Sequence, residues 1–170
     1  MLRFPSYDIV FQEVPGEVTL AVNLSNCPNR CRGCHSPHLK QDIGQVLDED
    51  SLAMLLEVYG NAITCVCFMG GDASPYEVGS LAGFIKEQAK GRIKTAWYSG
   101  KSALPTGVPV HVLDYVKLGP YIEHLGGLDA ATTNQRFYRI ENGKMIDMTN
   151  LFHKKIPAVS QKLVCLELEL

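Results

Sequence analysis

A chain of 170 residues with 46% hydrophobic side chains can bury one sizeable core and gives little reason for a second, so a single domain over residues 1–170 is expected. The charge is nearly balanced, with a net of -2, and offers no broad basic face for phosphates or an anionic membrane, so neither nucleic acid nor membrane is expected as a partner. The N-terminus holds no apolar signal core and no stretch approaches the ~20 apolar residues of a membrane span, so a cytoplasmic location with reduced thiols is expected.

In chain order, residues 8–13 and 17–24 are β-prone runs separated by Val14-Pro15-Gly16. Proline presets φ and glycine accepts a positive one, so the pair predicts a hairpin feeding a central strand. Residues 18–24 are almost continuously apolar or β-branched, as in a strand covered on both faces. After a polar loop, Asp48-Glu49-Asp50 offers caps and negative charge to a helix start, with Leu52, Leu55, Leu56 and Tyr59 on its inner face and Gly60 at its end. Residues 62–69 read as a buried strand ending at Gly70-Gly71-Asp72.

Ser74, Pro75 and Glu77 predict a second helix start with a capping box, followed by Val78, Leu81, Ala82 and Ile85 as its inner face and Gly91 as its stop. Residues 93–98 form a third predicted strand, ending at Ser99-Gly100, and residues 110–118 a fourth, halted by Gly119-Pro120. Strands alternating with helices imply a parallel sheet with right-handed crossovers. Beyond residue 125 the pattern loosens. Residues 137–140 and 144–148 flank Glu141-Asn142-Gly143, a hairpin turn, and residues 163–170 read as a terminal edge strand.

Half of the six cysteines, Cys27, Cys31 and Cys34, fall within eight positions of the loop that leaves the first central strand. Their C-x3-C-x2-C spacing admits three readings. A structural zinc site wants four ligands, the fourth being His35 or His38. Cys31-Arg32-Gly33-Cys34-His35 also satisfies the haem-attachment spacing, which would leave Cys27 idle and requires export. Three thiolates are also enough to hold three irons of a cubane cluster and leave the fourth open to a ligand. Cys65, Cys67 and Cys165 read as small core or surface thiols. Gly70 and Gly71 are either a tight turn at a strand end or a ligand cradle, and Lys117, on an otherwise apolar strand, pairs with Asp114, meets a ligand carboxylate, or reaches for water.

The run Cys27-Pro28-Asn29-Arg30-Cys31-Arg32-Gly33-Cys34-His35 resembles the cluster loop of the radical SAM superfamily. Gly70-Gly71-Asp72 resembles that superfamily's Gly-Gly-Glu type motif, with aspartate in place of glutamate. Trp97-Tyr98-Ser99-Gly100, the block from Asp114 to Tyr121, and Thr133-Asn134-Gln135-Arg136-Phe137 resemble, in the same order, blocks of the activating proteins of anaerobic ribonucleoside-triphosphate reductase. Two further departures are Gly33, where an aromatic residue is usual before the third cysteine, and Ala131-Thr132-Thr133, where a run of smaller residues is expected.

The resemblance implies a [4Fe-4S] cluster on Cys27, Cys31 and Cys34, with S-adenosylmethionine chelating the open iron. It implies that Gly70, Gly71 and Asp72 hold the cofactor's amino group, that His35 is a candidate wall for its adenine, and that Ser99 and Lys117 belong to the same cofactor site. Reductive cleavage then gives methionine and a 5'-deoxyadenosyl radical, which takes a hydrogen from a backbone glycine of the reductase. The implied partners are the glycyl radical subunit of anaerobic ribonucleotide reductase and an electron donor such as flavodoxin or ferredoxin. The implied fold is α/β, a partial βα barrel with a mainly parallel sheet, an N-terminal hairpin and C-terminal β additions, whose ligands gather at the carboxyl ends of the strands. Activation of another glycyl radical enzyme, or a non-catalytic zinc module that docks onto a partner, are the alternatives.

Overall fold

A computed structural model describes residues 1–153. In chain order its elements are β1 (Arg3–Phe4), β2 (Ser6–Val10), β3 (Thr19–Asn23), β4 (Gln45–Val46), α1 (Glu49–Tyr59), β5 (Cys65–Met69), α2 (Pro75–Gln88), β6 (Lys94–Tyr98), β7 (Tyr115–Leu118), β8 (Arg136–Glu141) and β9 (Lys144–Asp147). Seven strands form one sheet in the order β2-β3-β5-β6-β7-β8-β9. The four strands β3, β5, β6 and β7 run parallel, and β2 on one side and β8 and β9 on the other run antiparallel to their neighbours. The class is therefore mixed α/β. The predicted terminal strand at 163–170 lies outside the described residues.

Alternation along the strands gives the sheet two apolar faces. Leu20, Val22, Val66, Phe68, Trp97 and Val116 pack against Leu52 and Leu55 of α1 and Val78, Leu81, Ala82 and Ile85 of α2. The opposite face carries Cys65, Cys67, Ala96, Tyr115 and Phe137, with Val14 and Phe152 packed onto it. Register aligns Asn23, Met69, Tyr98, Lys117 and Phe137 in one row across five strands. That row runs along the carboxyl ends of the four parallel strands.

Both predicted helices form; the first starts at its expected cap, and the second starts without the predicted capping box. Asp48 caps α1 by accepting from the Ser51 backbone N–H at 2.9 Å, while Ser51 Oγ accepts from the Asp48 N–H at 2.9 Å, a reciprocal capping box. The box predicted at Ser74 and Glu77 is absent: Ser74 makes no side-chain cap, and the Glu77 carboxylate instead pairs with the Met1 ammonium at 2.8 Å. Pro75 still opens α2, because its missing N–H would have had no helical partner.

Two strand predictions also change. The first hairpin is longer than its turn dipeptide suggests, since β2 ends at Val10 and β3 begins at Thr19. Residues 11–18 instead fold over the sheet, where Val14 is fully buried and the Tyr98 hydroxyl donates to the Glu13 carbonyl. Burial of Val14 on that face outcompetes extension of the ladder. Of the strand predicted over 110–118, only Tyr115–Leu118 forms a strand of the sheet, and Val110–Val112 is a 3-10 turn whose last N–H reaches the Pro109 carbonyl at 3.3 Å. The Asn142-Gly143 hairpin between β8 and β9 forms as expected, with both residues at positive φ.

Candidate functional site

Because β3, β5, β6 and β7 are parallel and in register, the segments that follow them all leave the sheet at one end. These segments are the cysteine loop, Gly70-Gly71-Asp72, Ser99-Gly100 and Gly119-Pro120-Tyr121. Residues predicted from separate parts of the sequence thus converge.

The cysteine loop is tied at its neck. Asn26 N–H donates to the Gln41 carbonyl at 2.8 Å, Cys27 N–H to the Leu39 carbonyl at 2.9 Å, and the Ser25 hydroxyl to the Ile43 carbonyl at 2.7 Å. The returning stem then pairs with the N-terminus as the two-stranded sheet β1-β4. Beyond the neck the loop bears a turn at Arg32-Gly33 that approaches the segment after β7. Arg32 pairs with Glu123 at 3.4 Å, and a Cβ at Gly33 would lie 3.1 Å from the Glu123 carboxyl carbon, so the small residue suits this packing. His35 and Tyr121 rings lie 5.2 Å apart, and Arg32 with residues 121–124 lines an open cleft of about 510 Å³.

Cys27, Cys31 and Cys34 are half-buried free thiols. Among the described residues, no three His, Cys, Asp or Glu side chains are drawn together closely enough to hold a metal ion. The donor set nevertheless fits an iron–sulfur cluster in kind and number, with three reduced thiols on one irregular loop whose neck is already fixed. Binding would draw the sulfurs together beyond that neck, the usual coupling of metal uptake to local folding. Cys65 and Cys67 are buried in the sheet, and burial pushes both thiols well above their ordinary range, so neither is a ready thiolate.

Gly70 and Gly71 adopt φ +106° and +89°, a region that L side chains rarely enter. A Cβ on Gly71 would lie 2.6 Å from Val78 Cγ2 and 2.8 Å from Leu24 Cδ1, so the pair lets the chain pass between α2 and the end of β3. Trp97 Nε1 donates to the Gly70 carbonyl at 2.6 Å, and Gly70 N–H donates to the Tyr98 carbonyl at 3.0 Å. Asp72, 7% exposed, accepts from Ser99 Oγ on Oδ1 at 2.5 Å and from Asn29 Nδ2 and Gly100 N–H on Oδ2 at 2.5 and 2.8 Å. Its carboxylate therefore joins three strand-end segments.

Lys117 is buried at the end of β7. Its ammonium donates to the carbonyls of Gly119 at 2.9 Å and Ser99 at 3.2 Å and lies 5.7 Å from the centre of the Tyr98 ring. Burial pushes it down to about 8, against the pull of Asp72 and of Cys31 and Cys67 when ionised. The pairing with Asp114 considered from sequence does not occur, because Asp114 binds Lys86 at 2.6 Å and the Thr95 N–H at 2.8 Å.

The Asn134 block meets the segment after β7: Asn134 Nδ2 donates to the Pro120 carbonyl at 2.9 Å, and a Cβ on Gly119 would lie 3.0 Å from Gln135 Cα. Sequence reasoning did not single out Asn29 or Glu123, since a polar side chain in an irregular loop carries no pattern of its own. No protein-family model matches the chain, and neither a curated protein nor a solved structure matches it. Among the described residues, no helix is long and apolar enough to cross a membrane.

Proposed function

We propose that this chain is a radical SAM activase of the cytoplasm that cleaves S-adenosylmethionine reductively and generates a glycyl radical on anaerobic ribonucleoside-triphosphate reductase. The supporting observation is the convergence of the cysteine loop and Gly70-Gly71-Asp72 at the carboxyl ends of adjacent parallel strands, joined by the 2.5 Å contact between Asn29 and Asp72. On this reading the sheet is an incomplete βα barrel with added β-strands at its C-terminal side.

Cys27, Cys31 and Cys34 would hold a [4Fe-4S] cluster, whose chemistry when bound is delivery of one electron to the sulfonium of a chelated S-adenosylmethionine. The chain's residues then bind and orient. A carboxylate has about four acceptor positions, and three donors already occupy Asp72, so a remaining position on Oδ1 is open to the amino group of the cofactor. Lys117, which donates to the carbonyls of Ser99 and Gly119 and interacts electrostatically with Asp72, would offer its positive charge to a ligand carboxylate. His35, against Tyr121, offers a ring face for the adenine.

The test is anaerobic reconstitution. Purified protein should bind about four irons, change its spectrum on addition of S-adenosylmethionine, and release 5'-deoxyadenosine when reduced by flavodoxin or ferredoxin. With the reductase present, a glycyl radical signal should grow on that partner. Stoichiometric zinc without iron would make the chain a docking module instead. A radical formed only on a different glycyl radical enzyme would keep the chemistry and replace the partner.

A further inference from the structure

We propose that Asn29 is the positioning residue that seats the cysteine loop on the strand-end cradle, acting through the Asp72 carboxylate and dependent on the bare Cα of Gly100. The inference rests on the loop and the cradle serving one cofactor. Asn29 sits between Cys27 and Cys31, so whatever fixes its side chain fixes the stretch that carries both thiols. Its Nδ2 donates to Asp72 Oδ2 at 2.5 Å, a contact between residues 43 positions apart. Asp72 is in turn immobilised by Ser99 Oγ and the Gly100 N–H, so the loop is referred to two other strand ends at a single amide.

Space as well as polarity makes this seat. A Cβ on residue 100 would lie 2.3 Å from Asn29 Nδ2, far inside van der Waals contact, and 3.3 Å from Asp72 Oδ2. Any side chain at position 100 therefore expels the Asn29 amide, while leaving Asn29 itself intact. Hydrogen bonds to an ionised acceptor are the strong kind, and a nearly buried carboxylate that loses a donor has little water to replace it. Arg32, by contrast, meets Glu123 at 3.4 Å with its own side chain 94% exposed, too solvated to fix the loop.

Alkylation of individual cysteines in reduced, metal-free full-length protein, followed by peptide mass spectrometry, reads the seat directly. Asn29→Ala and Gly100→Ala should speed modification of Cys27 and Cys31 by about tenfold, the loss expected for one charge-assisted hydrogen bond. Asn29→Asp, the same size but without the donor, should be at least as fast as Asn29→Ala, since two carboxylates then face each other. A space-filling role predicts the reverse order. Buried Cys65, unchanged in rate, reports that the fold is intact.

In iron-loaded protein the same variants should keep the wild-type iron content, because every thiol remains, yet bind S-adenosylmethionine about tenfold more weakly. Asn29→Asp matching wild type in both alkylation and ligand binding would overturn the proposal. If the wild-type protein takes up no iron, the cluster reading fails by itself, and the alkylation order still decides whether Asn29 seats the loop.

Discussion

The indole Nε1 of Trp97 donates to the carbonyl oxygen of Gly70 at 2.6 Å, so the one tryptophan of the chain, itself fully buried, holds the glycine pair at the end of the neighbouring strand. Trp97→Phe keeps an aromatic core residue but strands that carbonyl and leaves unfilled volume. It should cost about 2–3 kcal/mol in urea unfolding. The same variant should weaken S-adenosylmethionine binding more than iron binding, since the disturbance falls on Gly70 and not on the thiols.

The five cysteines among the described residues divide by environment. On the proposed function, Cys27→Ala, Cys31→Ala and Cys34→Ala should each abolish stable cluster binding and cofactor cleavage with little change in the unfolding midpoint of the metal-free protein, because each thiol sits half-buried on an irregular loop. Cys65→Ala and Cys67→Ala should do the opposite, retaining iron while losing about 1 kcal/mol of stability from fully buried positions. Iron assay and denaturant titration on the same five proteins check the division.

Lys117 sets a pH dependence whose sign is fixed by its burial. Its folded value of about 8 lies below the ordinary lysine value of about 10.4 in the unfolded chain. Between those values the unfolded state binds a proton that the folded state has released, so this residue makes stability rise with pH, by up to about 1.4 kcal/mol per unit. Lys117→Met should flatten that rise. Denaturant midpoints of both metal-free proteins at pH 7.5, 9 and 10.5, values spanning the two pKa positions, give the difference directly.

Glu17, at the other end of the sheet, also makes stability rise with pH, but in the acid range and through its hydrogen bonds. Burial alone would raise its carboxyl, but hydrogen bonds from Lys94 at 2.5 Å, Thr64 at 2.7 Å and Tyr115 at 3.0 Å hold it below the usual carboxylate range. Its contribution is present above the unfolded value of about 4.3 and is lost as pH falls through the lower folded one. Glu17→Gln should therefore cost about 2 kcal/mol at pH 7 and progressively less toward pH 3, measured by urea unfolding at both.

The helices and the four parallel strands were legible because each buries a regular apolar face, and the strand-end motifs followed from where those strands stop. What escaped was settled by contacts distant in sequence. Pro15-Gly16 looks like a tight hairpin, but the burial of Val14 against the sheet decides the path of residues 11–18. Residues 110–112 have strand-like composition, yet their backbone turns beside Pro109 and only the chain after Asp114 joins the ladder. The two-residue strands β1 and β4 are too short to show any period. At the site, Cys27, Cys31 and Cys34 were visible from spacing, whereas the bond between Asn29 and Asp72 links side chains whose proximity only the parallel register creates.

The tied neck of the cysteine loop has a kinetic and entropic meaning of its own. Bonds from Ser25, Asn26 and Cys27 to Ile43, Gln41 and Leu39 close the loop without any metal, so the entropy of bringing its stems together is already spent in the fold. On the proposed cluster reading, the three thiols would meet one another at an effective concentration set by the short span between Cys27 and Leu39, as though joined by a short linker. Lengthening that span by inserted residues should slow cluster assembly only gradually, roughly with the three-halves power of its length, whereas cutting the neck should slow it at once.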